Sequence, residues 1–480
     1  VIFHSLDFFA FFLITLAAYW LMPTRAQNVW LLLGSYVFYG WVHAWWPVLL
    51  FITTFVDYWA ARGMTLVPRR RQLWLWLSIA SNLGLLGFYK YFGFFVENVA
   101  AAGATIGWNT PEIALRVMLP AGISFYTFQS MSYTIDVYRG HAPARTRFVD
   151  VAAFVSFFPH LVAGPIMRAT NLLPQFERER RFDPAAARDA TLLIVWGLFK
   201  KLVIADNVGV IANKVFALES PEFFVLWAGV FAFAMQIYAD FSAYTDIARG
   251  VAKWYGFDLI KNFERPYLAT GPADFWRRWN ISLSTWFRDY VYIPLGGSRA
   301  GTGREARNIV ITFLASGLWH GASWNYVLWG AYHGVLLLIG RLLPSRHAPK
   351  PSGPQPLTPS HSFRILGMFI LTCIGWLIFR ETEIAQLQRH VLLSPWETTA
   401  LGRSAGLYLF LLVAIYSIPL WIHDLWGEMS ASDLSDAIEK QEPAVRWPRT
   451  AAQAALCGLM MAAILTLRSQ TALDFIYFAF

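Results

Sequence analysis

Apolar runs of about 18 residues or more, nearly free of charge, recur along this 480-residue chain. Each is long enough to cross a bilayer as a helix. Lipid offers no partner for backbone polar groups, so only helices or closed barrels can span it. These runs are too long and too unalternating for barrel strands. The chain therefore reads as an all-α polytopic membrane protein. Its composition agrees: 56% of residues are hydrophobic and 14% charged, where soluble domains carry about 25% charged residues.

The candidate spans are Phe8–Met22, Val29–Val42, Pro47–Ala61, Leu73–Val96, Val149–Val162, Thr191–Ile204, Phe223–Ala239, Ile309–Leu318, Trp324–Leu343, Ile365–Phe379, Leu407–Ile422 and Ala451–Leu467. The first lacks a basic stretch before it and a small-residue cleavage site after it, so it reads as a membrane helix and not a removable leader. Val149–Val162 has basic flanks, and Pro159, Gly164 and Pro165 break its far end, which suggests a re-entrant hairpin. Two polar stretches, 344–362 and 428–449, read as flexible loops inside one membrane domain covering 1–480. No internal repeat is visible.

The net charge is +9, but nucleic acid is not the partner it implies. The basic residues sit in Arg69–Arg71, Arg139–Arg147, Arg168–Arg181, Lys200-Lys201 and Lys261–Arg307, as in cytoplasmic loops beside a lipid bilayer. The loops at 23–27 and near Pro68 carry arginine, while those at 43–46 and 100–108 carry no Lys or Arg. The first pair is then cytoplasmic and the N-terminus periplasmic. Lys261–Arg307 mixes arginines with aromatics and reads as an amphipathic interfacial segment.

Chemistry concentrates at His320. The run Ile309–Leu343 has 35 residues and would reach ~52 Å as one helix, against a ~30 Å hydrocarbon core. It must break, and Trp319-His320-Gly321 is the expected place. An ionisable side chain at that depth is a functional hypothesis by default. From position alone, a catalytic and a structural imidazole are both open there. His333 reads as a packing residue, and His160 as structural or substrate-positioning. Cys373 and Cys457 read as small apolar side chains, and no metal-ligand spacing occurs. Asp240 and Asp246 lie about 600° apart on an ideal helix; they read as separate polar anchors bonded to arginine or backbone, as do Asp57 and Asp136.

Several segments together resemble the membrane-bound O-acyltransferase family, in its alginate-acetylating branch. They are Leu119–Tyr126, Ile135–Gly140, Phe157–Pro165, Asp240–Asp246, Asp274–Arg299 and Leu318-Trp319-His320-Gly321, in shared order over nearly the whole chain. The resemblance implies a fold of roughly 11 transmembrane helices, with re-entrant and interfacial helices around a central tunnel. It makes His320 the catalytic histidine. One departure stands out: where that branch has histidine after Arg-Trp, this chain has Asn280. Asparagine cannot act as a base, but it can donate and accept hydrogen bonds, so Asn280 is expected to position or polarise the acyl carbonyl. Trp276, Arg277, Arg278, Ser282, Trp286, Arg288 and Trp319 are the expected substrate-binding residues. By the same resemblance the donor is a cytoplasmic thioester, acetyl-CoA, with no bound cofactor. The acetyl group passes across the inner membrane to periplasmic acetyltransferase proteins, for O-acetylation of a secreted exopolysaccharide, alginate. Acylation of cellulose or another exopolysaccharide, D-alanylation of teichoic acid, a polysaccharide transporter and a non-enzymatic scaffold are the alternatives.

Overall fold

The computed structural model describes residues 3–108, 118–342, 358–429, 446–471 and 473–476. Among these every regular element is a helix. The helices are α1 (Leu6–Trp20), α2 (Thr24–Val42), α3 (Trp46–Leu66), α4 (Arg71–Leu86), α5 (Phe92–Thr105), α6 (Ile123–Arg139), α7 (Phe148–Ser156), α8 (Phe158–Leu161), α9 (Ala169–Glu177) and α10 (Pro184–Phe199). They continue with α11 (Asp206–Phe216), α12 (Phe223–Trp254), α13 (Pro272–Arg278), α14 (Ile281–Phe287), α15 (Thr302–His320), α16 (Trp324–Leu342), α17 (Pro359–Arg380), α18 (Ile384–Val391), α19 (Ala400–Met429) and α20 (Arg446–Leu467). Among the described residues, α12, α17, α19 and the Thr450–Leu467 part of α20 are long and apolar enough to cross a membrane.

Each expected span overlaps one or two helices, with changed limits. Phe223–Ala239 extends to Trp254, so Asp240 and Asp246 lie inside one 32-residue helix. The helix breaks first at Phe157, with Pro159 in the first turn of α8, where its missing N–H costs nothing, and again after Leu161, where Gly164 and Pro165 lie in non-helical chain as expected. The loop expected over 344–362 lies outside the described residues up to 357. Beyond that it gives way to α17, whose start is capped by the Thr358 side chain accepting from the His361 N–H. The loop expected over 428–449 lies outside the described residues from 430 to 445; α19 runs to Met429 and α20 starts at Arg446.

By its internal contacts the chain divides into two compact units, Val1–Ile194 with Ile247–Ile260, and Val195–Asp246 with Lys261–Phe480. The first is organised around α3, which packs on α4, α6 and α7. Hydropathy missed α6 because it is rich in polar residues: Ser124, Thr127, Gln129, Ser130, Ser132, Thr134 and Asp136 are all buried on it. Gln129, Ser130, Ser132 and Thr134 are tolerated because they have hydrogen-bond partners. The Asp57 carboxylate accepts from Ser78 (2.6 Å), from Asn82 (2.9 Å to each oxygen) and from Ser130. Asp57 is thus a bonded polar anchor, but its partners are Ser and Asn side chains where arginine or backbone was expected. Asp136 lies 3.9 Å from the imidazole of His141.

Arg180, expected in a solvated basic loop, is instead buried in this first unit. Its guanidinium donates to Asn28 Oδ1 at 2.6 Å and to the Gln175 carbonyl at 2.9 Å, and lies 4.9 Å over the Phe257 ring. His160 is also buried here, beside Phe157, and among the described residues neither of its ring nitrogens has a hydrogen-bond partner.

The second unit holds the other correction to the charge reading. Lys200 and Lys201 are not a loop cluster: both lie buried in a π-helical turn, Lys200–Ala205. Lys201 Nζ pairs with Asp206 at 2.9 Å and Asp240 at 3.1 Å, and donates to the Leu473 carbonyl at 2.9 Å. Lys200 pairs with Asp246 at 2.8 Å. The two aspartates therefore act separately; each pairs with a lysine where arginine was expected, and Asp240 also accepts from a backbone N–H, as expected. A π-turn inserts one residue into the helical register, and such turns are frequent at functional sites.

Candidate active site

Two helices packed unusually close carry His320. A side chain at Gly317 would meet the Tyr326 carbonyl at 2.1 Å, and one at Gly330 would meet the Phe313 carbonyl at 2.3 Å. Only glycine lets α15 and α16 approach this way. The apolar run breaks where length required: α15 ends on His320, Gly321 is extended at φ −165°, and α16 starts at Trp324. A Cβ at Gly321 would sit 2.2 Å from the Tyr326 ring, so that glycine is needed for room and not for its backbone angles.

His320 is 5% exposed and meets three rings edge-on, Trp319 at 5.0 Å, Trp329 at 4.9 Å and Phe379 at 5.2 Å. This wall excludes water while leaving an imidazole at a helix end. Ring contacts then run from Phe379 to Trp376 (5.7 Å) and from Trp376 to Trp279 (4.9 Å). Trp279 is the residue immediately before Asn280.

Asn280 joins α13 to α14 in a left-handed conformation, φ 40°. Asparagine tolerates this region better than other non-glycine residues. Its backbone is fixed: the Asn280 carbonyl accepts from Ser284 N–H at 2.9 Å, and the adjacent Ile281 N–H donates to the Asn262 carbonyl at 2.9 Å. Asn280 is 1% exposed, yet among the described residues neither amide atom of its side chain has a hydrogen-bond partner. A buried, unsatisfied amide costs roughly 1–3 kcal/mol per group.

The other expected binding residues divide. Trp276 and Trp319 belong to the aromatic wall. Ser282 is buried, and its N–H donates to Asn262 Oδ1 at 3.0 Å, which helps hold the start of α14. Arg278 is bound to its own chain: it pairs with Asp274 at 3.1 Å and Glu428 at 3.0 Å. Burial opposes its charge, but those hydrogen bonds and carboxylates outweigh burial and hold the guanidinium protonated above its usual range. Arg277 is exposed and reaches Asp274 at 3.4 Å. Trp286 and Arg288 form a separate group, Trp286 against Phe287 and Tyr290, Arg288 against Asp289 at 2.7 Å.

The interfacial segment expected over Lys261–Arg307 is more deeply seated than its charge suggested. Phe275, Trp279, Leu283, Trp286 and Phe287 are all buried, and α13 packs on α16. Sequence reasoning also passed over Trp329, Trp376 and Phe379 as site walls. In sequence they are ordinary apolar helix residues, and only the packing of α16 on α17 brings Trp329 and Phe379 to His320, with Trp376 behind them.

A buried histidine at a helix break and a buried, unpartnered asparagine amide thus lie in the same unit of a helical chain. The family profile of the membrane-bound O-acyltransferases matches residues 31–379, and the chain belongs to that family and is an acyltransferase. It is 37% identical to a probable alginate O-acetylase, AlgI, of Azotobacter vinelandii, over 98% of both chains. It is 38% identical to a probable alginate O-acetylase, AlgI, of Pseudomonas aeruginosa, over 93% of this chain and 87% of that one. A peptidoglycan O-acetyltransferase of Helicobacter pylori is 35% identical over 69% of each chain.

Proposed function

We propose that this protein is the inner-membrane O-acetyltransferase of an exopolysaccharide machinery, with alginate as the polymer. The observation that carries the reading is the continuous series of buried rings that runs from His320 to Trp279, the residue before Asn280, in a chain similar to alginate O-acetylases over nearly its full length. Acetyl-CoA is the donor from the cytoplasm. The acceptor is a hydroxyl delivered from the opposite side, by way of periplasmic acetyltransferase proteins.

In this mechanism the acceptor oxygen attacks the thioester carbonyl carbon while a ring nitrogen of His320 takes its proton, a step worth about 10²–10⁴-fold in rate. The Asn280 amide N–H donates to the carbonyl oxygen as it gains negative charge. The C–S bond then breaks, and the leaving sulfur recovers the proton from His320. Trp276, Trp319 and Ser282 line or support the donor path; Arg277, Trp286 and Arg288 serve at its cytoplasmic mouth. Arg278 acts there by fixing the end of α13 through its carboxylate pairs. The chain works as one domain of roughly 11 transmembrane helices around a tunnel, with the N-terminus periplasmic.

The test is the acetyl content of secreted polysaccharide in a deletion strain carrying wild type or His320→Ala. Loss of acetylation at unchanged membrane levels is expected. Wild-type acetylation in His320→Ala would eliminate this mechanism and return the transporter and scaffold readings.

A further inference from the structure

Three rings, one of them in contact with His320, share an unusual property. Trp329 and His333 lie one turn apart on α16, and Trp276 comes from α13. The rings touch one another in a closed triangle, Trp276–His333 at 5.0 Å, Trp276–Trp329 at 5.7 Å and Trp329–His333 at 4.7 Å. Each carries a buried ring nitrogen, and among the described residues Trp276 Nε1, Trp329 Nε1 and His333 Nδ1 all lack a hydrogen-bond partner. Trp329 and His333 are each 1% exposed. Packing alone is satisfied by phenylalanine at such positions, with no polar atom to desolvate; three unmet nitrogens in one cluster are expensive.

We infer that Trp276, Trp329 and His333 form a subsite that hydrogen-bonds carbonyl oxygens of the acyl donor. Indole N–H groups can only donate, so the ligand must present acceptors. No charged side chain belongs to the triangle, which favours an uncharged acceptor such as the amide carbonyls of a pantetheine-type arm over a phosphate. Trp329 touches both His333 and His320, so a donor arm held by the triangle ends beside the general base. This inference rests on the acyl-transfer reading above. It gives His333, which sequence patterning assigned to packing, a binding role.

The test uses the full chain in lipid nanodiscs and the variants Trp276→Phe, Trp329→Phe and His333→Phe, which keep a ring and remove the nitrogen. KM for acetyl-CoA is expected to rise about tenfold for each, with kcat falling by less. The rise should persist with acetyl-pantetheine and vanish with an S-acetyl thioester that has no amides. Binding of a non-hydrolysable thioether analogue of acetyl-CoA, measured in the His320→Ala background, should weaken by the same factor. That measurement needs no turnover, so it decides the subsite even if His320 is not the base. Unchanged analogue binding in all three variants overturns the inference, as does a rise in KM for the polysaccharide acceptor alone. Should Trp329→Phe fail to fold, the half-buried Trp276→Phe supplies the same comparison.

Discussion

Asn280 concentrates the argument at the scale of a single residue. Its left-handed backbone and its unmet amide are separate costs, and a substitution can remove one without the other. Asn280→Gly keeps the backbone conformation and deletes the amide. Its kcat is expected to fall about 10²–10³-fold, the usual loss of one oxyanion donor, with thermal stability kept. A kcat within twofold of wild type in a detergent-purified acetyl-transfer assay would remove Asn280 from the mechanism. The identity of this residue was legible as a departure from a familiar pattern. Its conformation and missing partners were not, because both depend on where Asn262 and the surrounding rings stand in space.

At the scale of elements, helices were legible wherever apolar residues dominate, and misread wherever polar residues are paired out of sight. The polar helix α6 and the π-turn at Lys200–Ala205 are both of this kind. Lys201 shows the energetics most plainly, since it serves two buried carboxylates and a backbone carbonyl at once. Lys201→Met leaves Asp206 and Asp240 buried without their counter-charge, at a cost of about 3–5 kcal/mol. A clear drop in the thermal unfolding midpoint is expected, with partial recovery when Asp240→Asn is added. Equal midpoints for wild type and Lys201→Met would show that the cluster contributes nothing to stability. The same cluster fixes the 473–476 segment, where the Ile476 N–H donates to Asp240 at 2.7 Å and Phe475 lies against Tyr244.

For the whole molecule, orientation rests on a few charges. In the proposed orientation the turns carrying Arg25 and Arg69–Arg71 face the cytoplasm. A cysteine introduced at Arg70 should react with a membrane-impermeant maleimide only after permeabilisation, while one at Ala44 should react in intact spheroplasts. The reverse pattern would invert the topology and put the acyl donor on the wrong face of the proposed site.

The sequence by itself determined that the chain is helical and membrane-embedded, that its long apolar run breaks at His320, and that its order of motifs is that of an acyltransferase family. These follow from hydropathy, length and local pattern, which are properties of contiguous residues. The tertiary structure alone decided that Lys200, Lys201 and Arg180 are buried, that Arg278 is tied to Asp274 and Glu428, and that Trp276, Trp329 and His333 meet beside His320. Charge along a sequence does not say whether a partner waits across the fold. Burying a charge or a polar ring nitrogen becomes affordable only when an element distant in sequence, or a ligand, completes its hydrogen bonds.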